Sequence, residues 1–292
     1  MRELDLDRRA RESFRTVLAH PDPPVTFTDK MRYKMRHDRR ALLPALADKV
    51  AARDYVEAKV GPHVLTKLYL VTGDAATIRQ DALPREFVLK ASHGCGGCAV
   101  VGDHVPSDKS LPRPPAGWVR VEVAPDSVDW SRLRALCREW LRLRYLPWLE
   151  WAYRNVPSRI LAEELLVQDG RVARDYKCFV FHGRVRAIQV IFDRFGDHSS
   201  NWYTPEWRAL PVRTQVAHGP GIEQPTALGE MIRIAEALGQ ETDFVRVDLY
   251  ALEDRIVVGE LTNYSGGGFD PFTPASFDLE LGSWWTPPEE YR

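Results

Sequence analysis

An α+β fold is predicted from three features of the chain. Up to about residue 80, apolar residues recur at helical spacing with basic residues between them. Between Leu83 and Val101 a lysine-ended strand runs into a glycine-rich turn and then a second strand. From Ile160 onward, short β-rich runs separated by tight turns take over.

Taken in order, residues 41–55 and 56–70 read as helices. Before them, Asp29-Lys30-Met31-Arg32-Tyr33 opens a strongly basic amphipathic stretch that reaches Arg40. It reads either as a solvated helix face, the usual fate of a charge run, or as a surface that receives an acidic substrate. Residues 87–101 give two strands, and the proline-rich stretch 106–117 is a loop. A helix is expected over 131–140, capped by Asp129 or Ser131. The tryptophans that follow, Trp140, Trp148 and Trp151, read as core packing. Strands are expected at 160–166, 175–181 and 185–192, the last two joined through His182-Gly183-Arg184. A helix over 227–238 precedes a final hairpin of 244–252 and 256–261, turned at Glu253-Asp254-Arg255, and then a loop over 263–274.

Composition bounds the function. With 292 residues the chain can bury a large core and hold more than one domain. A net charge of -1 provides no global field to recruit nucleic acid or an anionic membrane. No apolar run approaches the length of a bilayer span. The first residues lack the apolar core of a secretory signal, so a cytoplasmic protein is expected. Cys95 and Cys98 form a C-x-x-C, but zinc requires a second ligand pair and no such spacing appears. A structural role inside the glycine turn is the simpler reading.

The chemistry gathers in the two hairpins. In 83–101, Lys90 ends a strand and Gly94, Gly96 and Gly97 follow, so backbone N–H groups and an ammonium can meet a polyphosphate. His93 reads as a phosphate ligand, a base, or a hydrogen-bonded structural residue, the last being the commoner role. In 245–250, alternation puts Arg246, Asp248 and Tyr250 on one face, and Glu260 lies near the end of the partner strand. Two carboxylates and the amide oxygen of Asn263 make a hard-oxygen site of the kind Mg2+ takes. Lys177 and Arg194 add cations on or beside strands. Glu163 and Asp175 flank a strand–loop–strand link suited to an adenine and a ribose.

The order of these parts resembles the ATP-grasp superfamily. Within it, Asp29-Lys30, the 83–90 strand, His93-Gly94, Asp175-Tyr176-Lys177 and Gly259-Glu260-Leu261-Thr262 resemble the TupA-like ATP-grasp group, from about Asp29 to about Asp278. That resemblance implies an ATP-grasp fold of two α+β subdomains gripping ATP. A mainly helical segment would span 1–80, a lid subdomain with the glycine loop 81–170, and a core subdomain with the metal site 171–292. It further implies ATP and Mg2+ as cofactors. Lys90 and Lys177 would lie on phosphates and Arg194 on the γ-phosphate or an acyl phosphate. Glu163, Glu164 and the backbone around Leu165 and Leu166 would face adenine, Asp175 the ribose. Asp248 and Glu260 would hold the metal. Many superfamily members end this hairpin in Glu-x-Asn, whereas here Thr262 takes the asparagine position and Asn263 follows, so either is the third ligand.

The implied activity is carboxylate–amine ligation through an acyl phosphate, in bacterial cell-surface polysaccharide or related biosynthesis. A glycan or small-molecule carboxylate and an amine would be the substrates. A phosphotransferase acting on a hydroxyl, and a non-enzymatic nucleotide- or metal-binding module, are the rival readings. The acceptor side is assigned to Lys30, Arg32, Arg36 and the run Gly266-Gly267-Gly268. Nothing in the sequence reads out the oligomeric state.

Overall fold

The computed structural model of the protein describes residues 16–146, 149–193 and 196–291. Three helices open the described chain: α1 (Phe27–His37), α2 (Leu42–Ala47) and α3 (Ala51–Val60). A capping box starts α1, with the Thr26 hydroxyl accepting from the Asp29 N–H and the Asp29 carboxylate accepting from the Thr26 N–H. The helix expected over 41–55 is broken at Asp48, whose backbone is extended and whose carboxylate accepts the Val50 N–H at 3.0 Å. The helix expected over 56–70 stops at Val60. Gly61 there adopts φ 93° and Pro62 cannot donate a helical hydrogen bond, so the chain leaves the helix and Leu68–Thr72 becomes a strand, β1.

Strands β2 (Phe87–Ala91), β3 (Cys98–Val101), β4 (Arg120–Val123) and β5 (Ile160–Glu163) join β1 in a five-stranded sheet of order β1-β5-β2-β3-β4. Its pairings are antiparallel except β3 with β4. The two-residue period splits β2 cleanly. Phe87, Leu89 and Ala91 pack with Leu133, Leu136 and Trp140 of helix α4 (Trp130–Arg142), while Val88 and Lys90 face the other way. Asp129 caps α4, accepting the Arg132 N–H at 3.0 Å, and Trp140 is fully buried. Trp148 lies outside the described residues.

A short hairpin, β6 (Val167–Gln168) and β7 (Arg171–Val172), leads to β8 (Asp175–Phe181) and β9 (Arg184–Phe192). His182 and Gly183 turn between them with φ 49° and 71°, the positive values a tight hairpin of matching twist requires. Besides β1, β6 and β7, the strands β4, β10 (Ser199–Tyr203) and β11 (Ala209–Leu210) are unforeseen in the sequence. Helix α5 (Leu228–Gly239) precedes β12 (Phe244–Ala251) and β13 (Ile256–Thr262), and helix α6 (Ser276–Ser283) follows. The second sheet is six-stranded and antiparallel, in the order β11-β10-β9-β8-β12-β13.

Both faces of this second sheet are covered, and the N-terminal helices help on each. Cys178, Val180, Val245 and Val247 pack under α5 with Val56 of α3. Phe179, Phe181 and Phe244 face Phe27 and Met31 of α1 and Leu281 of α6. Part of the basic stretch in α1 therefore points inward. Lys30 donates to the carbonyls of Gly282 and Trp285 at 2.9 and 2.6 Å, Arg32 to the Gly268 carbonyl at 3.2 Å, and Lys34 is fully buried. Neither a solvated face nor a substrate surface describes those three, because the C-terminal segment covers them; Arg36 is exposed.

The contact between α1 and α6 has no slack. A Cβ at Gly282 would lie 2.5 Å from the Val25 carbonyl oxygen and 2.8 Å from the Phe27 nitrogen, both backbone atoms. Gly282→Ala should therefore lower stability by about 1–3 kcal/mol through overpacking. The gain in helix propensity, roughly 1 kcal/mol at most, does not offset it. Urea unfolding reads the difference, and an unchanged midpoint would mean that the two helices can part freely.

Candidate functional site

A cavity of about 470 Å³ lies between the inner faces of the two sheets. Val88, Val100, Leu165, Leu166, Val172 and Ile191 supply apolar wall, enough for a flat ring. Gly94, Gly96 and Gly97 of the β2–β3 turn form another part of the wall. Gly96 adopts φ 98°, and Gly94 rests so closely on Trp118 and Tyr145 that a Cβ would fall 2.8 and 2.9 Å from them.

The polar wall is a set of interlocked charges. On the first sheet Lys90 pairs with the Glu163 carboxylate, which also accepts the Thr66 hydroxyl at 2.8 Å. Burial opposes the Lys90 ammonium, but Glu163 outweighs it and holds the lysine above its ordinary pKa. Glu164 pairs with Arg255. On the second sheet Lys177 sits between Asp175, at 2.8 Å, and Asp248. Arg246 chelates Asp248 through Nε at 2.6 Å and Nη2 at 2.8 Å. Asp248 stands directly opposite Glu260 in the β12–β13 register, and a bulge at Gly259 follows. A Cβ on Gly259 would meet the Tyr250 ring at 2.5 Å, so only glycine fits that bulge.

Two residues outside the expected set complete the arrangement. Lys49 bridges the sheets, its Nζ 3.0 Å from Glu260 Oε1 and 2.8 Å from the Gly94 carbonyl of the glycine turn. Burial alone would raise the Glu260 pKa, yet Lys49 and Arg246 together hold it well below the usual carboxylate range. Arg120 reaches Cys95 Sγ at 3.4 Å.

Of the residues expected from the sequence, Lys90, Gly94, Gly96, Gly97, Glu163, Glu164, Leu165, Leu166, Asp175, Lys177, Asp248 and Glu260 all line this cavity. Arg194 lies outside the described residues. His93 goes elsewhere: it is 2% exposed, and its Nε2 donates to the Trp140 carbonyl at 3.0 Å, which fastens the turn to α4. Asn263 also turns away. Strand alternation sends Glu260 and Thr262 to the cavity side and Leu261 into the core, and past the strand Asn263 donates Nδ2 to the Leu43 carbonyl at 2.8 Å. Thr262 is the one beside the site, its hydroxyl accepting from Arg246 at 3.1 Å. Cys95, on the turn, and Cys98, at the start of β3, line the cavity and form no disulfide. Among the described residues no three His, Cys, Asp or Glu side chains converge as a metal cage.

The family model for TupA-like ATPgrasp proteins matches residues 29–285. The chain belongs to the TupA-like ATP-grasp family. Its two sheets with flanking helices are the α+β ATP-grasp fold. Among solved structures it is similar to D-alanine–D-alanine ligase from Bacillus anthracis, with 14% identity, a TM-score of 0.43, and 76% of this chain and 59% of that one covered. It is also similar to the ATP-grasp ligase PsnB complexed with a minimal precursor, at 13% identity and a TM-score of 0.40, covering 77% of this chain and 55% of that one. The macrocyclase MdnC bound with precursor peptide MdnA from Microcystis aeruginosa MRC gives 10% identity and a TM-score of 0.40, over 78% of this chain and 56% of that one. The chain thus spans less than two thirds of the length of each. No curated protein matches it. Among the described residues no helix is long and apolar enough to cross a membrane.

Next to the carboxylate pair of this ATP-grasp chain is a buried acid, Glu150, 7% exposed and hydrogen-bonded to Tyr145. Burial, and then the negative charge of Glu260, push its carboxyl up to about 7, against weaker opposition from Arg246 and Lys49. A raised acid favours the protonated folded state, so this contribution is full at low pH and is lost as pH rises from about 4.5 toward 7. Glu150→Gln should accordingly raise stability at pH 8 by on the order of 2 kcal/mol and leave it nearly unchanged at pH 4.5. Chemical denaturation at the two values checks this; an equal effect at both would place the carboxyl among ordinary exposed acids.

Proposed function

We propose that the protein is an ATP-dependent ligase that joins a carboxylate to an amine. The observation that carries this reading is the placement of Lys90 on one wall and Lys177 with the opposed pair Asp248 and Glu260 on the other, across one cavity with an apolar slot. A triphosphate needs these parts: cations for its phosphates, hard oxygens for its metal, and an apolar slot for the base. Mg2+ binds through one or two carboxylates and takes its other ligands from phosphate and water, and the Asp248–Glu260 pair fits that requirement. Bound there, it would neutralise charge on the phosphoryl group being transferred.

In the proposed reaction a substrate carboxylate oxygen attacks the γ-phosphorus and ADP leaves, giving an acyl phosphate. The amine nitrogen then attacks the acyl carbon, phosphate departs, and an amide forms. The residues act by position and charge, with no protein nucleophile required. Lys90 and Lys177 lie on the phosphates, the Glu163–Leu166 link faces adenine, and Asp175 takes the ribose. We read residues 81–170 as a lid that shields the acyl phosphate from water and 171–292 as the core, with helices α1–α3 of the N-terminal segment packed on that core and β1 added to the lid sheet. The family association points to a glycan or small-molecule carboxylate of cell-surface polysaccharide or related biosynthesis.

Titration calorimetry with a non-hydrolysable ATP analogue, with and without Mg2+, tests the nucleotide site. An ADP-release assay over paired carboxylates and amines tests the reaction. Saturable, Mg2+-dependent binding and ADP release that requires both substrates are expected. Release with a hydroxyl compound and no amine would make the protein a phosphotransferase, and no binding at millimolar nucleotide would remove both readings.

A further inference from the structure

The charges around the cavity are matched with one exception. Each of the other carboxylates on its wall has a cationic partner, as described above. Asp270 also lines the cavity, yet among the described residues its carboxylate makes no hydrogen bond and no ion pair. Burial raises its pKa, and the one charge that opposes this, Arg246, already chelates Asp248 and donates to Ser265 and Thr262. The backbone is shaped to keep the carboxylate there. Gly266 and Gly267 adopt φ 60° and 59°, and a Cβ on Gly266 would lie 2.1 Å from Asp270 Oδ2, so the turn must be glycine for Asp270 to fold back over it.

A half-buried carboxylate without a partner inside a binding cavity is an unfinished ion pair. We propose that Asp270 completes that pair with the ammonium group of the amine substrate. The inference rests on the ligase reading of the cavity and adds the residue that selects a cationic acceptor. Its position suits the role: Asp270 lines the same cavity as Asp248 and Glu260, so the ammonium would share that space with the metal-side carboxylates. An amine arrives at neutral pH as a cation and must reach an acyl phosphate formed beside that carboxylate. Asp270 gives it a place to stand.

The test uses the full chain as wild type, Asp270→Asn and Asp270→Glu, each loaded with Mg2+ and a non-hydrolysable ATP analogue. Ammonium, glycinamide, lysine, glucosamine and a diaminoalkane are then titrated at constant ionic strength, and melting temperature and calorimetric affinity are read. At least one amine should bind the wild type, Asp270→Asn should weaken it by about tenfold or more, and Asp270→Glu should restore part of the loss. Nucleotide affinity, read in the same samples, should stay within about twofold, which also shows that the variants are folded. Amine binding that survives Asp270→Asn, or no amine binding to the loaded wild type, overturns the inference. A wild type that fails to bind the nucleotide at all overturns the ligase reading instead.

Discussion

Asp248→Asn is expected to abolish the Mg2+-dependent part of nucleotide binding and to cost the free protein about 3 kcal/mol, whereas Glu260→Gln should lose the metal equally and cost roughly 1 kcal/mol or less. The difference comes from burial. The Asp248 side chain is 5% exposed and holds two buried cations, Lys177 and Arg246. Neutralising it leaves the Arg246 guanidinium with only hydroxyl partners, Ser265 and Thr262, while Lys177 keeps Asp175. Glu260 is 28% exposed, and its direct ion pair is with Lys49, which water can solvate once released. Arg246, which also lowers the Glu260 pKa, loses no partner of its own in that variant because it keeps Asp248. With nucleotide at about a hundred times its dissociation constant the wild type should gain roughly 2.7 kcal/mol in Mg2+, and both variants should gain little. Urea unfolding with and without Mg2+ and the ATP analogue separates the two costs. Retention of the Mg2+-dependent gain in Asp248→Asn would show that the carboxylate pair is not the metal site.

That contrast explains what the sequence could and could not reveal. The lysine-ended strand, the glycine turn and the last hairpin were legible because their chemistry is local. Period two sets which side chains share a face, so Arg246, Asp248 and Tyr250 could be placed together without a structure, and the same rule puts Thr262, not Asn263, beside them. The stop at Gly61-Pro62 was equally written in the chain, and reading through it turned β1 into helix. Arg-Val-Glu-Val at β4 alternates, a signal present but short. Ser-Ser-Asn-Trp-Tyr at β10 has no such pattern, because pairing to β9 makes it a strand. Lys49, Glu150 and Asp270 could not be read at all. Each owes its role to partners far along the chain, Lys49 to Gly94 and Glu260, Glu150 to Glu260, and Asp270 to a turn whose geometry only the fold defines. The same holds for Lys30 and Lys34, basic on paper and inward in fact.

Lys34→Met should be among the most destabilising single changes away from the cavity, costing about 3–5 kcal/mol. Lys34 is fully buried between Asp38, at 3.2 Å, and Asp243. Asp243 also accepts from Arg40 at 2.9 Å and from Trp285 Nε1 and the Tyr291 hydroxyl, each at 2.8 Å. Burial works against the Asp243 carboxylate, but Lys34 and these donors hold it down to about 2. A depressed acid stabilises the fold above its unfolded pKa, so this contribution is complete above about pH 4 and is lost as pH falls through about 2. Removing Lys34 leaves two buried carboxylates with Arg40 alone among the cations, and a further Asp243→Asn should recover part of the loss by removing one of them. The double variant at pH 7 should therefore be more stable than the sum of the two single effects; strict additivity in urea unfolding would mean that the pair is not coupled. The cluster has a bearing on the site because Asp243 immediately precedes β12, whose same face carries Phe244 in the aromatic core and then Arg246 and Asp248 in the cavity. One strand thus ties the C-terminal segment, the core and the metal-side carboxylate together, and loosening its first residue should fray the strand that presents the last.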